Sequence, residues 1–140
     1  LKKINAQCTV EGSAIALDRH NVEQYVTTAD VILDATDNFQ TRYLLNDACV
    51  KHEKPWIYGG VHQTGGMVMA VAPKSGPCLR CVFDGANTAA VSPDPGVFGV
   101  LNTVPATIGA CQVTQAFKLI VDGSFRANRT SAFYLLTFDL

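Results

Sequence analysis

VILDATDNFQTR, residues 31–42, decides how the chain is read. Val31, Ile32 and Leu33 form an apolar run that ends in Asp34. Ala35 and Thr36 then lead to Asp37 and Asn38, and a helical pattern starts at Phe39. This is the pattern of a buried strand, a short loop and a helix. In α/β sheets ligands bind beyond the carboxyl ends of parallel strands, so the loop is the place to look for chemistry.

Working outward, Ala29 to Ala35 is predicted as a buried strand and Phe39 to Glu53 as a helix. Phe39, Tyr43, Leu44, Ala48 and Cys49 share one face at helical spacing. Lys54-Pro55 ends the helix, and Trp56 to Gly59 reads as the next strand. Strand, helix and strand make a βαβ unit with parallel strands and a right-handed crossover. The pattern then changes. Val61, the turn-like Gln63-Thr64-Gly65-Gly66 and Met67 to Ala72 predict an antiparallel hairpin.

Upstream, Leu1 to Asn5 reads as a helix tail. Cys8 to Ala16 reads as a weakly alternating strand, and Asn21 to Val26 as helical turns capped by Asn21. The opening Leu1-Lys2-Lys3 suggests a piece of a longer protein, cut through an element. Downstream, Gly76 to Gly99 is turn-rich, with Ser92-Pro93-Asp94-Pro95-Gly96 at its heart. A helix is predicted from Asn102 or Thr103 to Val121, apolar on several sides and therefore buried. Ser131 to Leu140 is a last strand.

Composition narrows the function. The chain has 140 residues, enough for one domain with a sizeable core. It is 48% hydrophobic and 16% charged, with a formal net charge of -1. That balance leaves no electrostatic footprint for nucleic acid or an anionic membrane. No run was long and apolar enough to suggest a membrane span. Five cysteines, only Cys78 and Cys81 of them close together, argue against a disulfide framework and for a reducing, cytoplasmic setting.

The candidate residues each have two readings. Asp37 can cap the helix, with Gln40 completing a capping box, or it can hold Mg²⁺ at the strand-end loop. Arg42 is a solvated helix arginine or a second group reaching the same crevice. Cys78-Leu79-Arg80-Cys81 is half of a Cys₄ zinc site or a redox pair. Loop-like flanks favour zinc. His20, His52 and His62 are isolated and read as surface or satisfied histidines. Gly59-Gly60 and Gly65-Gly66 form no phosphate loop and read as bends where backbones pass closely.

In combination, DVILDATDNFQTRYLLNDACV, KPWIYGGVHQTGGMVMAV, CLRC and GVFGVLNTVPATIGACQVTQAFKLI resemble the ThiF/MoeB/HesA family, relatives of ubiquitin-activating enzymes. The resemblance implies a Rossmann-like, mostly parallel sheet with antiparallel strands at one side and helices on both faces. It implies a homodimer, and ATP- and Mg²⁺-dependent adenylylation of the C-terminal glycine of a ubiquitin-like sulfur carrier of thiamine or molybdopterin type. By position, Asp37 takes the place of the family's Mg·ATP-contacting aspartate, with Asn38 and Arg42 beside it. Cys78 and Cys81 take the place of the first structural Zn²⁺ pair. The family's glycine-rich nucleotide loop and second CxxC have no counterpart in residues 1–140, so the chain reads as a C-terminal portion of the adenylation domain. Ser92 stands where members with a reactive cysteine carry it, which leaves no thiol there for a covalent step. Two rivals are a non-catalytic interaction half of such an activator and a nicotinamide-dependent oxidoreductase. The second gives no reason for CLRC.

Overall fold

A computed structural model of the chain describes residues 1–83, 99–121 and 135–139. The elements are α1 (Val22–Thr28), β1 (Ile32–Leu33), α2 (Phe39–Lys51), β2 (Trp56–His62), β3 (Gly65–Val71), α3 (Leu79–Phe83), α4 (Thr103–Val121) and β4 (Leu135–Asp139). They form a mixed α/β fold around a four-stranded sheet of order β1-β2-β3-β4. β1 and β2 are parallel, as a βαβ unit requires. β2–β3 and β3–β4 are antiparallel, so the antiparallel strands lie at one side.

The alternation in β2 divides the core. Trp56 and Tyr58 point to one face and pack with Val26 of α1, Phe39, Leu45 and Cys49 of α2, and Phe83 of α3. Ile57 points to the other face, where Val104, Ile108 and Ala116 of α4 meet Val68 of β3. Period-2 side-chain alternation thus puts helices on both faces of one sheet.

Several boundaries differ from expectation. Cys8 to Ala16 forms no strand. β2 runs on through both glycines to His62, and β3 begins at Gly65, leaving Gln63 and Thr64 as the turn. Gly59 and Gly60 are therefore strand residues rather than bends. The close approach holds: a Cβ on Gly59 would lie 2.5 Å from Gln112 Nε2, and one on Gly66 2.5 Å from Ile108 Cδ1. α2 ends at Lys51, because Glu53 at φ 54° turns left-handed and Lys54 N–H bonds back to Cys49 O at 2.8 Å.

Two caps also differ. Asn21 occupies the N-cap position of α1 but makes no capping bond with its side chain. Its amide instead donates to Ala16 O, while Asp18 Oδ1 accepts from the His20 and Asn21 N–H groups. At α2 the cap is Asn38, not Asp37: Asn38 Oδ1 accepts from Thr41 N–H at 2.8 Å.

α4 is less buried than its apolarity predicts. Val104, Ile108, Gln112 and Ala116, spaced four apart, form its buried stripe. Phe117 and Ile120 are 62% and 63% exposed. By length and composition this helix could cross a membrane, contrary to the sequence expectation. Its buried stripe lies on the sheet. Ser92, Asp94 and Ser131 lie outside the described residues.

Candidate functional site

Beyond the carboxyl end of β1, against β2 and the first half of α4, lies a cavity of about 320 Å³. Asp34, Thr36, Asp37 and Arg42 line it from the strand-end loop and α2. Gly59 and Val61 come from β2, and Pro105, Ile108 and Gln112 from α4.

The loop's shape is set by Asp34. Its Oδ1 accepts from Thr36 N–H at 2.8 Å and Thr36 Oγ1–H at 2.7 Å, which folds the chain tightly as it leaves β1. Asp34 is 1% exposed. Burial raises its pKa, opposed by the two Thr36 bonds and by Arg42. Arg42 Nε lies 3.3 Å from Asp34 Oδ2, an ion pair whose geometry makes no hydrogen bond.

Arg42 is not a solvated helix arginine. It is 4% exposed, and its guanidinium sits 5.4 Å from the Phe39 ring and 5.1 Å from the Tyr58 ring. Nη2 donates to Thr36 O at 2.5 Å and Gly59 O at 3.2 Å. Arg42 therefore joins the loop to β2, and it lines the cavity as part of that scaffold.

Asp37 stands apart from this network. Its carboxylate is exposed at the cavity wall, and its described hydrogen bond comes from Asn38 Nδ2 at 3.2 Å. Because Asn38 caps α2, Asp37 is released from the capping role that local sequence offered it. The structure places Asp37 on the loop, Asn38 at the cap of α2 and Arg42 one turn into α2, with the first two exposed and the third buried.

Gln112 is the residue that sequence reasoning missed. It is 6% exposed, and its Nε2 donates to Asp34 O at 2.7 Å and to Ile57 O at 3.0 Å. The available signal was a polar residue in an otherwise apolar stripe of α4.

Cys78 and Cys81 lie elsewhere, the first just before α3 and the second on it, with their sulfurs 3.6 Å apart. The flank before Cys78 is irregular, as expected, and a short helix starts straight after it, where Asn46, buried in α2, accepts from Leu79 N–H at 2.9 Å and fixes the start of α3. Burial opposes ionisation of Cys78, but hydrogen bonds from Cys81, Asn46 and the Arg80 backbone outweigh it and lower the thiol pKa. Among the described residues, no group of three or more His, Cys, Asp or Glu side chains could hold a metal. His52 pairs with Glu23 at 2.9 Å, a satisfied histidine as expected.

The ThiF family's sequence pattern matches residues 1–140. The chain belongs to the ThiF family. Among curated proteins it is 38% identical over 122 residues to a SAMP-activating enzyme E1 of Haloferax volcanii, covering 87% of this chain and 45% of that protein. It is also 38% identical over 140 residues to the adenylyltransferase and sulfurtransferase MOCS3 of Drosophila ananassae, covering 99% of this chain and 30% of that protein. The same enzyme of Drosophila grimshawi is 39% identical over 141 residues, with 99% and 30% covered. The chain thus spans less than half the length of these relatives.

Proposed function

We propose that this ThiF-family chain forms one wall of an adenylation site in a larger parent protein. The reaction is ATP-dependent adenylylation of the C-terminal glycine of a ubiquitin-like sulfur carrier. A carboxylate oxygen of that glycine attacks the α-phosphorus of ATP. The bond from that phosphorus to the bridging oxygen breaks, and pyrophosphate leaves. Such a step needs charge neutralisation and in-line positioning more than a covalent protein group.

The observation that carries this reading is the exposed Asp37 carboxylate on the cavity beyond the end of β1. An exposed carboxylate with one amide neighbour suits Mg²⁺, which takes oxygen ligands and keeps several waters. When bound, Mg²⁺ supplies charge neutralisation for the polyphosphate. Asn38 holds the helix start beside it, and Arg42 keeps the loop in place from within.

Cys78 and Cys81 support a structural Zn²⁺ half-site. Their separation of 3.6 Å is close to the edge of a tetrahedral zinc thiolate, about 3.8 Å for Zn–S bonds of about 2.3 Å. The other two ligands would come from outside the described residues. The five free cysteines support a reducing cytoplasmic setting. The exposed Phe117 and Ile120 support a homodimer, and equally support the alternative of a non-catalytic interaction half.

The test is ATP–pyrophosphate exchange by the full-length parent with its carrier. Asp37→Asn should lower exchange at least about 100-fold, the scale of one electrostatic stabiliser, with folding unchanged by circular dichroism. Exchange that survives Asp37→Asn rules out Asp37 as the metal-contacting group. An inactive wild-type parent favours the interaction half.

A further inference from the structure

Gln112 does more than fill the α4–sheet contact. Both groups that face its Nε2 are main-chain carbonyls, Asp34 O at 2.7 Å and Ile57 O at 3.0 Å. Only the NH₂ end of the amide can satisfy them, so the orientation of the side chain is fixed and both its N–H groups are used. Oε1 has no hydrogen-bond partner among the described residues, nor is it one of the sealed, unpaired polar atoms. It therefore keeps some accessible surface, and the cavity is the space that Gln112 lines. Gly59 makes this possible, since a Cβ there would lie 2.8 Å from Oε1.

The result is a buried acceptor of fixed direction at a site beside Val61, Pro105 and Ile108. An acceptor there repels polyphosphate, which offers only acceptors, and calls for a donor on the ligand. Apolar walls and a glycine floor suit an extended peptide of small residues, whose regular donors are main-chain N–H groups. We infer that Gln112 is a ligand-positioning residue whose Oε1 accepts a main-chain N–H from the peptide tail that ends in the adenylylated glycine. This rests on the adenylation reading and names the substrate contact within it. Ribose hydroxyls and the adenine amino group are the other donors the reaction brings, and the test separates them from the tail.

The experiment uses the full-length parent and semisynthetic carriers with single N-methyl groups at the last three peptide bonds. Gln112→Met keeps the length of the side chain and removes both its donor and its acceptor. The expected result is a rise of about 10-fold in KM for the carrier, the scale of one hydrogen bond, with KM for ATP unchanged. One N-methyl carrier should lose about 10-fold on the wild type and little more on Gln112→Met, since the same bond is removed twice. Losses that multiply, or a raised KM for ATP alone, overturn the inference. So does a wild type indifferent to N-methylation at all three positions, a result that needs no variant to fold. A wild-type parent without exchange overturns the adenylation reading and this inference with it.

Discussion

Arg42 and Asp34 show how much of this site rests on buried polar residues. The pair is enclosed, and Arg42 holds two carbonyls as well as its acid. Arg42→Ala would leave the Asp34 carboxylate buried without its partner. Such a loss costs about 3–5 kcal/mol, readable as a lowered denaturant midpoint. Asp34 also gives a pH signature. Its folded pKa is raised, mainly by burial, so the folded state holds the proton more tightly than the unfolded state. The stability it contributes is present below the ordinary Asp pKa and is lost as pH rises through the raised one. Asp34→Asn cannot titrate. The stability of the wild type relative to Asp34→Asn should therefore fall across that window, and urea melts at several pH values would show it. Glu23 and Asp47, whose pKa values are lowered chiefly by hydrogen bonds from Lys51 and Arg80, are common to both proteins and cancel in the comparison.

At the scale of the element, strand β1, helix α2 and strand β2 were legible because apolar periodicity and Lys54-Pro55 mark them out. The cap of α2 was not. Asp37 and Asn38 are both good caps, and which one serves depends on where the loop leaves β1, a geometry set by Thr36 and Arg42. Of the predicted face of α2, Phe39, Ala48 and Cys49 are buried, but Tyr43 and Leu44 are only half-buried, and Leu45, Arg42 and Asn46 are buried in addition. Polar residues on an inward face carry no hydrophobic signal. α4 shows the reverse error. Its apolarity predicted burial, but Val113, Phe117, Ile120 and Val121 remain exposed. Exposed apolar area of this kind marks an interaction surface. The double variant Phe117→Glu, Ile120→Glu should shift the chain towards monomer in sedimentation while keeping its helical signal. A monomeric wild type would remove the homodimer from the proposal.

For the whole molecule, the family and the mixed α/β architecture were legible from motifs in order along the chain. The cavity walls come from one strand-end loop, β2 and α4, and on the proposed function the parent protein supplies the remaining phosphate contacts. An isolated chain of these residues should therefore give negligible ATP–pyrophosphate exchange beside a full-length parent assayed with the same carrier. Full exchange by the chain alone would mean that it holds every phosphate contact the reaction needs.

The sequence by itself determined the family, the βαβ unit, the loop that carries Asp37 and the pairing of Cys78 with Cys81. Each is a local pattern of spacing, which a linear chain displays directly. Only the tertiary structure decided which side chains are free to act. Asp37 is free because Asn38 takes the cap; Arg42 is engaged because its partners sit on β2 and in the loop. Gln112 enters the site from 78 residues beyond Asp34. A buried polar group must find its partners wherever the fold brings them, and no local pattern records that requirement.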